Sequence, residues 1–165
     1  MKFAKIKFND ISNAPGISIS VFTQGCPHHC SGCFNLETWD FNGGKEFTPD
    51  ILDQIANRIN ENDIHRNLCL LGGEPLCPEN QFLTRLIINT VKQKSPSTTV
   101  YVWTGYLLED LMKDPSVHLR DIFNSIDFLI DGPYKQELRD ITLPMRGSSN
   151  QRIINMRDID KLKKI

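Results

Sequence analysis

No run of apolar residues in this chain approaches the length of a membrane span, and the start, MKFAKIKFND, carries lysines where an export leader needs an uninterrupted apolar stretch. A membrane protein is excluded on that reading, and a cytoplasmic one is expected. Clustered basic residues are missing as well. The 19 lysines and arginines are scattered among 20 acidic residues for a net charge of -1, which supplies no electrostatic footprint for DNA or RNA. No repeat period or low-complexity tract suggests a solenoid or a disordered chain. An even set of cysteines is lacking too: there are five, an odd number that a disulfide framework does not use, and reduced thiols fit the expected compartment better. What remains is 165 residues of ordinary globular composition, enough for one domain with a core and too short for two.

Residues 2–8 alternate Phe3, Ile6 and Phe8 with lysines as an edge strand does, and Ala14-Pro15-Gly16 enforces a turn. Residues 17–23, ISISVFT, read as a strand that runs into a cysteine-rich loop. Thr48-Pro49-Asp50 is a helix start, and Ile51, Ile55 and Ile59 give that helix one apolar face. A short strand at 68–71 stops at Gly72-Gly73-Glu74-Pro75, and Phe82, Leu83, Leu86, Ile87 and Val91 mark a second amphipathic helix. Strands at 99–103 and 126–130 bracket a short helix at 107–112, and the second of them ends at Asp131-Gly132-Pro133. Beyond that point, residues 133–165 read as irregular and as a candidate partner contact, with the final DIDKLKKI a frayed helix or tail.

Strands alternating with helices imply parallel pairing through right-handed crossovers, an α/β fold with residues 1–165 as one domain. In such folds the loops at the carboxyl ends of the strands build the site. Four loops qualify: the cysteine loop, GGEP, Thr104-Gly105-Tyr106 and Asp131-Gly132-Pro133-Tyr134.

The stretch GCPHHCSGC, from Gly25, sets Cys26, Cys30 and Cys33 in a C-x3-C-x2-C pattern able to wrap one metal centre. Zinc would need a fourth ligand, for which Cys77 is the candidate, because Cys69 lies in an apolar strand and reads as a small hydrophobe. His28 and His29 read as exposed loop residues. The spacing favours an iron-sulfur cluster and leaves zinc standing. Three thiolates on a four-iron cluster would leave one iron open to a small chelating molecule.

This cysteine loop after one strand, with GGEP after the next, resembles the radical S-adenosylmethionine superfamily. The resemblance implies a 4Fe-4S cluster held by Cys26, Cys30 and Cys33, with its open iron chelated by the amino and carboxylate groups of S-adenosyl-L-methionine. Gly72, Gly73 and Glu74 would then meet the methionine amino group, the glycines by letting the backbone come close and Glu74 through an exposed acceptor. That superfamily often has an aromatic residue just before its third cysteine. This chain has Gly32 there, so adenine contact falls to the backbone of Gly32 and Cys33 and to Phe34. Thr104 and Asp131 close strands on the same edge, as ribose or sulfonium contacts or as ordinary turn and capping residues. No side-chain general base is expected, because the cofactors carry the chemistry.

A narrower resemblance runs over most of the chain. Asn13-Ala14-Pro15-Gly16, the cysteine loop with Phe34-Asn35 and Thr38-Trp39, Val102-Trp103-Thr104-Gly105-Tyr106, Asp131-Gly132-Pro133-Tyr134 and the segment RGSSNQR from Arg146 are similar to the family of activating enzymes of anaerobic ribonucleoside-triphosphate reductases. It implies a glycyl-radical-generating oxidoreductase that works anaerobically. Reductive cleavage of S-adenosyl-L-methionine would yield a 5'-deoxyadenosyl radical that takes hydrogen from a glycine of the reductase, with an external one-electron donor such as flavodoxin. A full (β/α)8 barrel takes about 200 residues or more, so the expected fold is an incomplete TIM-like barrel of parallel strands with flanking helices. Its open side suits a macromolecular substrate, which excludes water on docking. Arg146 and Arg152 are candidates for acidic groups on that partner. Two alternatives stay open: an activase of another glycyl-radical enzyme, of pyruvate formate-lyase type, and a non-enzymatic zinc-binding interaction module.

Overall fold

The computed structural model describes residues 1–158. Its strands are β1 (Lys2–Asp10), β2 (Ser18–Thr23), β3 (Lys45–Glu46), β4 (Asn67–Gly72), β5 (Val100–Trp103), β6 (Phe128–Asp131) and β7 (Arg152–Asn155). Its helices are α1 (Pro49–Arg58), α2 (Pro78–Lys94), α3 (Leu108–Leu111) and α4 (Val117–Ser125). One mixed sheet takes in all seven strands in the order β3-β1-β2-β4-β5-β6-β7. The strands β2, β4, β5 and β6 are parallel, as βα alternation requires. The expectation of parallel strands fails at the margins: β1 and β3 are antiparallel on one side and β7 on the other. Nor is β1 the edge, because the two-residue β3 pairs outside it.

Helix starts follow local chemistry. Pro49 and Pro78 occupy first turns, where a missing N–H costs nothing, and Lys92 and Lys94 face the negative end of α2. Register then builds the core in rows. Ile19, Leu68 and Val100 lie side by side, and Val21, Leu70, Val102 and Leu129 form the next row, all without solvent contact. Ile55 of α1, Leu83, Ile87 and Ile88 of α2, and Leu119 and Ile122 of α4 pack on these rows in one cluster. Each such side chain contributes about 1.5–3 kcal/mol on burial.

The other face carries a smaller cluster, Phe22, Cys69, Leu71, Tyr101 and Ile130, with Ala14. Cys69 is fully buried there, behaving as the small hydrophobe expected of it. Against this face lie Trp103 and, from the segment before β7, Met145. The segment after Pro133, read from the sequence as irregular, thus holds a strand and a packing contact. Within DIDKLKKI, residues 159–165 lie outside the described residues. Among the described residues no helix is long and apolar enough to cross a membrane.

Candidate functional site

The parallel register aligns Thr23 with Gly72 and Trp103 with Ile130, so the four loops named above leave the sheet on one edge. The cysteine loop is clamped at its base. Gly25 N–H donates to Thr38 O (2.8 Å) and Cys26 N–H to Trp39 O (3.1 Å), while the Asn80 amide of α2 donates to Gln24 O, Gly25 O and Glu74 O. Inside the loop Cys33 N–H closes a turn on Cys30 O, and His29, at φ +48°, stacks on Trp39.

The glycines of GGEP are explained by this neighbour. A Cβ on Gly73 would come within 2.5 Å of Gly25 O, and Gly72 has φ +101° with the Phe22 side chain 2.7 Å from its missing Cβ. They let β2 and the cysteine loop approach the end of β4. Glu74 is likewise not the exposed acceptor expected. It is 1% exposed, and its carboxylate accepts from Leu76 N–H (2.9 Å), Thr104 Oγ1 (2.8 Å) and Gly105 N–H (2.7 Å), with His28 Nε2 at 2.8 Å from Oε2. A buried carboxylate this well matched has its desolvation offset, and the loops that match it are tied together.

These loops enclose a cavity of about 490 Å³ whose lining includes Cys26, Cys30 and Cys33 together with Gly72, Gly73, Glu74 and Phe34. Burial, reinforced by the Glu74 charge, pushes the Cys26 thiol up to about 11 against the bonds it receives from the His28 and His29 N–H groups. Burial raises Cys30 as well, opposed by a bond from the Tyr134 N–H of the distant β6 loop. Asn35 N–H reaches Cys33 Sγ (3.4 Å). Each thiol therefore faces backbone N–H donors, the arrangement that favours a charged sulfur once a cation supplies the rest. Tyr134 Oη and Arg146 Nε, on lining residues of the same cavity, are buried without a hydrogen-bond partner. A soft three-sulfur donor set with unmatched polar atoms nearby fits an iron-sulfur cluster and a polar ligand beside it.

Cys77 does not join the other thiols. It sits at the start of α2, donates its thiol hydrogen to Glu74 O (3.1 Å), and burial pushes it up to about 12. Among the described residues no three His, Cys, Asp or Glu side chains converge on the point a single ion would occupy. The other candidates separate. Thr104 lines the cavity but spends its hydroxyl hydrogen on Glu74, whereas Asp131 is wholly buried, accepting from Leu108 N–H and from Arg152. The capping reading of Asp131 is the one realised. Arg152 pairs with Glu109 and Asp131, so it is committed within the chain and does not stand free for a partner. Phe34 is 59% exposed at the mouth, against Tyr134 and under Arg139, and the Gln136 side chain fills the space beside Gly32. His28 overturns its expectation as an exposed residue, being turned inward onto Glu74. Only a count of buried carboxylate partners, which needs the fold, could have found it.

Residues 12–154 match the family described as a 4Fe-4S single cluster domain. The anaerobic ribonucleoside-triphosphate reductase-activating protein of Escherichia coli (strain K12) is 38% identical over 149 residues, 90% of this chain and 94% of that one. Its counterpart in Salmonella typhi is equally similar over the same span, and that of Enterobacteria phage T4 is 33% identical over 153 residues, 93% of each chain.

Proposed function

The chain belongs to the family of anaerobic ribonucleoside-triphosphate reductase-activating proteins, and on that premise we propose that it is a radical S-adenosylmethionine activase that installs a glycyl radical in such a reductase. When bound, the 4Fe-4S cluster and S-adenosyl-L-methionine would supply the chemistry, a one-electron reductive cleavage fed by a donor such as flavodoxin and ending in removal of a hydrogen atom from a reductase glycine, with methionine and 5'-deoxyadenosine as the other products.

The chain's own residues bind, orient and shield. Cys26, Cys30 and Cys33 would hold the cluster. Gly72 and Gly73 would bring backbone to the methionine end of the ligand, with Glu74 fixing the loop around them. Gly32, Cys33 and Phe34 would meet the adenine. On this reading the helix-free face of the sheet would be the interior of an incomplete barrel, and the reductase, docking over the mouth near Phe34, would exclude water from it. No side chain is asked to move a proton.

The observation that carries this reading is the convergence of three thiols, GGEP and two further strand-end loops on one cavity. The test is anaerobic. The reconstituted, reduced protein is mixed with S-adenosyl-L-methionine and the purified reductase, and electron paramagnetic resonance is recorded. A glycyl doublet that appears with this reductase, and not with a pyruvate formate-lyase, is expected. An intact cluster that yields no doublet, or a doublet on the other enzyme, overturns the assignment.

A further inference from the structure

His28 stands midway between Cys26 and Cys30, where a loop imidazole is free to turn to water. Its side chain is instead only 18% exposed, with Nε2 2.8 Å from Glu74 Oε2, a contact that spans 46 residues of chain. Tyr106 closes on the imidazole edge-on, ring centroids 4.4 Å apart. Gly105 leaves the room for it, because a Cβ there would come within 2.5 Å of the ring. A carboxylate oxygen only accepts, so Nε2 carries the hydrogen and the imidazole is the donor. The acceptor is immobile: Glu74 is held from three other directions by Leu76, Thr104 and Gly105. The His28 bond is the side-chain link from the middle of the cysteine loop to the carboxylate that also receives Thr104 and Gly105.

We propose that His28 is the positioning residue of the cysteine loop: its bond to Glu74 sets where Cys26 and Cys30 present their sulfurs, relative to Gly72-Gly73 and Thr104-Gly105. Outer partners that orient ligand residues act this way in metal sites generally. The effect on the cluster rests on the thiols alone. The effect on the ligand rests on the function proposed above.

The experiment uses the reconstituted holoprotein and three variants. His28→Phe keeps the ring against Tyr106 and cannot donate; His28→Gln keeps a donor; Gly105→Ala leaves both partners in place and crowds the imidazole off Glu74. Compared with the parent, His28→Phe and Gly105→Ala should each hold iron about 10-fold less tightly against a chelator, the lower end of the range for such outer partners. Both should show a changed electron paramagnetic resonance spectrum of the reduced cluster and a weaker response of that spectrum to S-adenosyl-L-methionine. His28→Gln should restore the parental behaviour, and combining His28→Phe with Gly105→Ala should add nothing to either alone. A His28→Phe protein with parental iron retention and spectrum overturns the proposal, as does a His28→Gln protein indistinguishable from His28→Phe. Should the parent itself show no response to S-adenosyl-L-methionine, the proposed function fails while chelation still decides the role of His28.

Discussion

The face of the sheet under α1, α2 and α4 is closed by interlocking aliphatic rows, whereas the opposite face keeps a small cluster and gives way to a cavity lined by thiols, glycines and polar groups. On the first face the residues are interchangeable in kind, since any well-fitting aliphatic stabilises it. On the second, individual atoms matter: Glu74 has a named donor for each of its bonds, whereas Tyr134 Oη and Arg146 Nε have no hydrogen-bond partner. Stability and chemistry are divided between the two sides of one sheet, with α2 and Asn80 joining them.

The sharpest way to break this division is to cut the cavity without touching the core. Cys30→Ala or Cys33→Ala should abolish cluster absorbance and radical formation, while the unfolding free energy of the cluster-free chain changes by no more than about 0.5 kcal/mol. A large loss of stability would show that the two faces are not separable. The converse cut is Leu70→Ala or Ile87→Ala, which should cost about 2–5 kcal/mol in urea unfolding and leave iron bound per folded molecule unchanged. A smaller effect is expected at the seam. Arg152→Ala strips the buried Asp131 of its cation, but the guanidinium is 44% exposed and the Leu108 N–H bond remains, so about 2 kcal/mol is the expected cost.

The smallest effect is a dependence on pH. Burial alone would raise Asp127, but the bonds from Val100 N–H, Lys92 and Arg157 outweigh it and hold its carboxyl below the ordinary 3.8. A group depressed on folding contributes stability that is present above its unfolded value and lost as pH falls through the folded one. Urea midpoints should therefore decline below about pH 3.8, and Asp127→Asn should flatten that decline; an unchanged slope would remove Asp127 as its source.

The central strands, α1 and α2 were legible because their signals are local: β-branched runs, proline in a first turn, isoleucine at every fourth position. The helix α4 has little local signal beyond Ser116, which caps it by accepting from Leu119 N–H. Its apolar face rests on Leu119 and Ile122, too few to show a period. The strand β7 has four residues and is identified by pairing with β6, which no local pattern encodes. Within the site, the thiols and GGEP were legible by spacing. The inward turn of His28 and the pairing of Arg152 with Glu109 and Asp131 were not, because each depends on a partner many residues away.

The spacing of Cys26, Cys30 and Cys33 by itself made it possible for three sulfurs to reach one centre, because they lie within a single short loop. Which polar side chains face that centre was decided only when β2, β4, β5 and β6 paired in register and brought four loops to one edge. A buried carboxylate or guanidinium must find partners or forfeit its hydration, and the partners within reach are chosen by the sheet, not by neighbours in the chain.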